Sequence, residues 1–168
     1  IRSRPVDEIA AEAQSLAEAG FKEVVLTGIH LTSYGRDVKD GTTLLDAIRA
    51  AHDVPGIARV RLGSLEPVVV TPEFVEGIKA LPKVCHQFHL ALQSGSDTVL
   101  ARMHRRYTSG EFLTACAMLR EAFEDCALTT DVMTGFPGET EEEFAQTKDT
   151  CTKAGFARMH VFPYSERE

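Results

Sequence analysis

Apolar positions along this chain follow two alternating periods. Val6, Ile9, Ala10, Ala13, Leu16 and Ala17 recur at helical spacing and predict a helix over residues 5–19, with Pro5 at its first position and Gly20 as its C-terminal cap. The short apolar run Glu23–Thr27 predicts a strand ended by Gly28, and after a polar loop a second helix covers Thr43–Ala51. Ala58–Leu62 reads as the next strand. Thr71-Pro72-Glu73 then starts a helix that buries Phe74, Val75, Ile78 and Leu81. A third strand begins near Gln87, with Gln87, His89, Ala91 and Gln93 on one face and Phe88, Leu90 and Leu92 on the other. Capping boxes at Thr108/Glu111 and Thr140/Glu143 start two further helices. Leu128–Thr134 and Arg158–Phe162 complete the strands.

Strands that alternate with helices imply a parallel α/β sheet with right-handed crossovers. A unit of about 30 to 35 residues is that of a TIM-like (β/α) barrel, whose eight strands take about 250 residues. The strands here begin near residues 23, 58, 87, 127 and 158, too few to close the ring, so a partial, open barrel is expected. A doubly wound sheet is the alternative, but no Gly-x-Gly-x-x-Gly follows any strand. The chain begins on a helix and stops at a strand tip. This predicts one domain over residues 1–168, truncated at both ends, with a missing first strand. The resulting edge beside the Glu23 strand would promote association of the fragment.

Composition narrows the picture modestly. The 168 residues are 43% hydrophobic and 26% charged, as in a globular domain, and no apolar run suits a membrane span. A net charge of −7 argues against a general nucleic-acid binder, leaving Arg102, Arg105 and Arg106 as one local basic patch. Cys85, Cys116, Cys126 and Cys151 have no metal-ligand spacing and read as reduced thiols of a cytoplasmic protein. No charged start, apolar stretch and small-residue cleavage site is seen, so no signal peptide is expected, and the first residue is Ile1 rather than Met.

In parallel barrels function collects at the C-terminal strand ends. Those ends are Thr27-Gly28-Ile29-His30, Ser64-Leu65-Glu66-Pro67, Gln93-Ser94-Gly95, Thr134-Gly135-Phe136-Pro137-Gly138-Glu139 and Pro163-Tyr164-Ser165. Glu66, Gln93 and Asp131 can hydrogen-bond ribose hydroxyls or an amine, and Arg105 can pair with a carboxylate or phosphate. Gly135–Glu139 reads equally as a tight turn before a capped helix, Glu66 as a solvated loop acid, and the scattered histidines as structural. Arg59 and Arg61 alternate with Val60 and Leu62, which turns both cations into the barrel and calls for a wet lumen. No nucleophile–base pair or metal site is evident. The residues alone support a partial barrel with a polar, nucleoside-sized site.

The segments TGIHLTSYG, RLGSLEP, HLALQSGSDTVLARMHRRYT, DVMTGFPGETEEEF and HVFPYSER, in this order, resemble the signatures of the radical S-adenosylmethionine (SAM) methylthiotransferases. Thr27-Gly28-Ile29-His30 with Ser33-Tyr34-Gly35 is most similar to the branch acting on threonylcarbamoyl-adenosine in tRNA. A ribosomal-protein substrate and a non-catalytic RNA- or ligand-binding barrel are the alternatives. The resemblance implies [4Fe-4S] clusters, one on a C-x-x-x-C-x-x-C loop that splits SAM into methionine and a 5′-deoxyadenosyl radical, with tRNA as the partner. No cysteine here matches a cluster ligand, so the loop is expected upstream of Ile1 and the fragment is expected to bind no cluster and to be inactive alone. By resemblance, SAM contacts fall to Thr27 and Gly28 (methionine amine), Ser64 and Glu66 (methionine and ribose), Gln93 and Arg105 (ribose or carboxylate), and Gly135 and Phe136 (adenine), with Asp131 as a further contact.

Overall fold

The computed structural model describes residues 2–166. Five strands, β1 (Glu23–Leu26), β2 (Arg59–Leu62), β3 (Gln87–His89), β4 (Ala127–Thr134) and β5 (Arg158–Pro163), alternate with helices α1 (Val6–Glu18), α2 (Leu44–His52), α3 (Pro72–Lys79), α4 (Asp97–Arg102), α5 (Ser109–Ala122) and α6 (Glu141–Ala154). The predicted elements are present, most with ends shifted by a residue or two; the third strand is shorter than its pattern, ending at His89, with only single bridges at Leu90 and Gln93 beyond it. Pro5 caps α1 from outside rather than opening it, since its ψ of 143° is extended. The capping boxes at Thr108 and Thr140 form, each threonine accepting the backbone N–H three residues on.

All pairing is parallel. β1 pairs with β2, and β3, β4 and β5 pair in that order. Single bridges join the two groups: Val60–Val84, through Val60 N–H to Lys83 C=O at 2.7 Å and Cys85 N–H to Val60 C=O at 2.9 Å, and Leu65–Leu90, through Leu65 N–H to His89 C=O at 2.9 Å and Ala91 N–H to Leu65 C=O at 3.0 Å. The strands therefore stand in chain order, as barrel staves do. Among the described residues β1 is paired on one side only.

The two faces of this curved sheet differ sharply. Val60, Phe88, Leu90 and Leu128 point outward and are fully buried beneath the helices. Their alternates Glu23, Arg61, Gln87, His89, Thr129 and Asp131 point into the lumen and are only half-buried. Strand alternation thus converts a period-two sequence pattern into a dry outer layer and a polar inner one.

Gln93-Ser94-Gly95-Ser96 is the joint between β3 and α4, and it is bolted to α6. Gly95 N–H donates to Thr147 Oγ1 at 3.0 Å, and Thr150 Oγ1 donates to Gly95 C=O at 3.2 Å. Ser94 and Ser96 are wholly buried. A Cβ on Gly95 would lie 2.6 Å from Thr150 Cβ and 2.7 Å from Thr147 Cα, so only glycine allows this approach. A second clamp holds α4 to α6. Arg102 grips the Glu143 carboxylate through both terminal nitrogens at 3.1 and 2.9 Å, and Thr98 Oγ1 donates to it at 2.6 Å. These bonds, Arg102 foremost, lower the Glu143 pKa to about 2.

Two outcomes follow. Gly95→Ala forces backbone apart at a packed joint and should destabilise the fold by about 1–3 kcal/mol in denaturant unfolding. Glu143 ionises more readily folded than unfolded, so its stabilising effect is present above about pH 4.5 and is lost as pH falls towards about 2. The stability difference between wild type and Glu143→Gln should shrink across that window; a difference that stays constant would contradict the clamp.

Candidate functional site

The lumen face carries a continuous side-chain row across the strands. Glu23 on β1 accepts from Arg59 Nε at 2.7 Å and Arg61 Nε at 3.1 Å on β2. The two guanidiniums, Arg61 first, hold the Glu23 carboxyl below its ordinary pKa. Arg61 also donates to Gln87 Oε1 at 2.9 Å, and Gln87 Nε2 donates to Thr129 Oγ1 at 3.0 Å. Thr129 Oγ1 meets His89 Nδ1 at 3.1 Å. Asp131 closes the row, 3.3 Å from His89 Nε2 and 3.5 Å from His160 Nδ1. The two arginines are accounted for: both keep contact with solvent, and Glu23 and Gln87 partner them.

Above this row, at the strand ends, three elements converge on Glu66. The segment after β2 presents its carboxylate. Oε2 lies 3.0 Å from His30 Nε2, and Oε1 lies 3.5 Å from an Arg105 terminal nitrogen. The Leu31–Ser33 turn fixes the His30 side of the cluster: Ser33 Oγ bonds His30 Nδ1, and Thr32 Oγ1 accepts the Glu66 backbone N–H at 3.1 Å. Arg105 sits in the turn after α4, pinned by its N–H to Leu100 C=O at 2.9 Å and by Tyr107, whose hydroxyl donates to Ala91 C=O at 2.7 Å. Burial pushes the Tyr107 phenol up to about 12, so it remains a donor. Arg105 Nε is buried without a hydrogen-bond partner. A buried, unpaired guanidinium N–H is costly unless something accepts it.

The remaining strand ends are open. Thr27, Gly28, Ser64 and Gly135 are exposed. Nothing lies within 4 Å of a Cβ built on Gly135, whose φ of 70° suits glycine, and only a Leu31 methyl reaches 4.0 Å from one on Gly28. Phe136 meets Tyr164 edge-on with ring centroids 5.6 Å apart, which joins the ends of β4 and β5. Gln93 has a left-handed φ of 63°, and its backbone bridges β4 through Asp131 C=O and Met133 N–H. A cavity of about 850 Å³ is lined by α1, β1 and α2, with Thr27, Gly28 and His30 among its walls.

Several sequence expectations find a definite place. Glu66 and Arg105 come together; Thr27, Gly28, Ser64, Gln93, Gly135 and Phe136 lie at the ends of their strands, with Gln93 buried rather than open to solvent. Asp131 lies lower, in the lumen row. His30 was not singled out, because its link to Glu66 spans 36 positions. The basic patch is not free: Arg102 is bound to Glu143 and Arg105 faces Glu66, which leaves Arg106 exposed. Burial raises the thiol pKa values of Cys116, to about 12, and of Cys126 and Cys151. No three His, Cys, Asp or Glu among the described residues could hold a metal ion, and no helix among them is long and apolar enough to cross a membrane.

Comparison with known proteins agrees with this fold. Residues 1–151 match the model of the Radical SAM superfamily. The chain is 42% identical over 167 residues to the threonylcarbamoyladenosine tRNA methylthiotransferase MtaB of Bacillus subtilis, covering 99% of this chain and 37% of that protein. It is 40% identical over 166 residues to the tRNA-2-methylthio-N(6)-dimethylallyladenosine synthase of Acetivibrio thermocellus, covering 99% of this chain and 35% of that protein. The chain thus spans about a third of the length of these curated relatives. Among solved structures it resembles the radical SAM methyltransferase TsrM from Kitasatospora setae, with TM-score 0.74 and 19% identity over 95% of this chain and 31% of that one. It also resembles coproporphyrinogen III oxidase HemN of Escherichia coli, with TM-score 0.69 and 16% identity over 96% of this chain and 37% of that one. With its open parallel barrel and a superfamily match over residues 1–151, this chain belongs to the radical SAM superfamily, and its curated relatives are tRNA methylthiotransferases.

Proposed function

We propose that this chain is the SAM-binding barrel of a tRNA methylthiotransferase, and that the full-length protein adds a methylthio group to C2 of threonylcarbamoyl-adenosine next to the anticodon. The observation that carries the reading is the strand-end cluster of His30, Glu66 and Arg105 with its buried, unpaired Arg105 Nε. Such a cluster offers one cation and one carboxylate to a ligand with both charges, and SAM has an α-amine and an α-carboxylate. Identity alone does not divide the branches, since relatives of both tRNA specificities stand at 40% and 42%. The threonylcarbamoyl assignment rests on the loop Thr27–Gly35.

Radical SAM enzymes work with SAM and a [4Fe-4S] cluster, which together supply the radical chemistry. The residues of this chain fit the first and not the second. Its cysteines are dispersed and three have raised thiol pKa values, and no described group has the makings of a metal site. No catalytic step is assigned to these residues, and the chain alone is proposed to be inactive. Its own contribution is to bind and orient. Arg105 takes the carboxylate, Glu66 the amine or a ribose hydroxyl, and Gln93 and Ser64 further polar groups. Thr27 and Gly28 admit the ligand close to the backbone. Gly135 and Phe136 give a flat approach for adenine.

Two measurements test this. In cells lacking the gene, mass spectrometry of tRNA should show loss of methylthio-threonylcarbamoyl-adenosine; unchanged levels would remove the substrate assignment. In the full-length protein, Glu66→Gln and Arg105→Met should each weaken SAM binding about tenfold or more by calorimetry, the effect of losing a hydrogen bond to a charged group. Wild-type affinity in both variants would place the cofactor elsewhere.

A further inference from the structure

Residues 30–38 form an arch that stands on two feet. One foot is the strand-end cluster, where His30 Nε2 meets Glu66 Oε2 at 3.0 Å and Thr32 Oγ1 accepts the Glu66 backbone N–H at 3.1 Å. An ionised carboxylate only accepts, so His30 Nε2 carries the proton of that bond. Ser33 Oγ bonds the other ring nitrogen. The second foot is the entry to α1. Gly35 N–H donates to Ser3 Oγ at 2.8 Å, and the same hydroxyl donates to Asp37 Oδ1 at 2.5 Å. Ser3 N–H donates to Asp37 Oδ2 at 2.8 Å, and the Tyr34 hydroxyl donates to Arg4 C=O at 2.6 Å. The bonds from Ser3, its hydroxyl first, hold the Asp37 carboxyl below its ordinary pKa, so it stays an acceptor at neutral pH.

Between the feet the backbone has little slack. Ser33 N–H reaches His30 C=O and Tyr34 N–H reaches Leu31 C=O, both at 3.0 Å, and Arg36 N–H reaches Ser33 C=O at 3.2 Å. Leu31, Thr32, Ser33 and Gly35 are buried. Gly35 has φ 85° and is pressed on Thr42, whose carbonyl oxygen would lie 2.0 Å from an added Cβ. Among the described residues, Ser3 Oγ is the one acceptor for the buried Gly35 N–H. We infer that Ser3 is a positioning residue for Glu66, acting through this arch with Tyr34 and Asp37 as its partners. The serine hydroxyl alone accepts from Gly35 and donates to Asp37. Alanine at position 3 leaves the Gly35 N–H unpaired inside the arch, and that penalty loosens the backbone from which His30 and Thr32 hold Glu66. Residues 3 and 66 share no direct bond, so the arch is what links them. The consequence for SAM rests on the reading of Glu66 as a cofactor contact; the coupling itself does not.

Ser3→Ala, Ser3→Thr and Asp37→Ala are compared with wild type in the full-length protein by amide hydrogen exchange, resolved to single amides. The Glu66 N–H should exchange about tenfold faster in Ser3→Ala and stay within about twofold of wild type in Ser3→Thr, which keeps the hydroxyl. The Leu65 N–H, bonded to His89 C=O on the neighbouring strand, should keep its wild-type rate in both. Asp37→Ala removes only the exposed partner of Ser3 and should give a smaller acceleration at Glu66 in a folded protein. Wild-type exchange at Glu66 in both Ser3→Ala and Asp37→Ala would overturn the coupling. Equal acceleration at Leu65 and Glu66 would overturn it too, since that is general loosening of the fold. By calorimetry, SAM binding should weaken about three- to tenfold in Ser3→Ala and recover in Ser3→Thr. Weakened binding in Glu66→Gln with wild-type binding in Ser3→Ala would overturn the positioning role. Faster Glu66 exchange in Ser3→Ala, with wild-type SAM binding there and in Glu66→Gln, would uphold the coupling and remove the cofactor reading of Glu66.

Discussion

The Glu23 carboxylate between Arg59 and Arg61 is what allows this sheet to have a wet inner face. Parallel sheets are usually apolar on both faces because helices or a packed barrel core cover them. Here two guanidiniums one pleat apart project into the lumen and would repel each other there. Glu23 lies in register with Arg59 on the neighbouring strand and meets both. From Arg61 the polar contacts run on to Gln87, Thr129, His89 and Asp131, so each strand contributes to a row that begins at this ion pair. The outer face keeps the usual logic, with Val60, Phe88, Leu90 and Leu128 removed from water.

The site rests on this division. Turns at the strand tips are held from outside by buried contacts, Gly95 on Thr147 and Thr150, and Tyr107 on Ala91. Anchoring of that kind leaves Glu66, Arg105 and Gln93 on short, fixed connections rather than on free loops. Polar groups at the tips then stand above the lumen row, so the inner face carries two tiers of polar side chains.

Much of the fold was legible in the sequence because it is local. Period-two and helical spacings, the capping boxes at Thr108 and Thr140, and Thr71-Pro72 lie within a few residues of one another, and the structure forms each of them, although Pro5 stands outside α1 and β3 stops at His89. The site was legible only in part. Glu66 and Arg105 could be chosen as strand-end chemistry, but their pairing with each other and with His30 joins residues 36 or more positions apart. Histidines read as scattered because their partners, Glu66 for His30 and Thr129 and Asp131 for His89, lie on other strands or loops. Gln93-Ser94-Gly95-Ser96 misled in the opposite direction. It read as a ligand loop, whereas Ser94, Gly95 and Ser96 are structural, and periodicity cannot reveal that α6 presses against that glycine. Arg102 misled for the same reason, its partner Glu143 being 41 positions away.

The central claim is that the strand ends of this barrel, around Glu66 and Arg105, are where SAM binds. A crystal structure of the full-length protein with SAM tests it most directly. The account predicts the cofactor lying across the ends of β2, β3 and β4, with its carboxylate on Arg105, a polar group on Glu66 and its adenine against Phe136. SAM bound with Glu66 and Arg105 still facing only each other and His30, and no cofactor atom in contact with either, would contradict it.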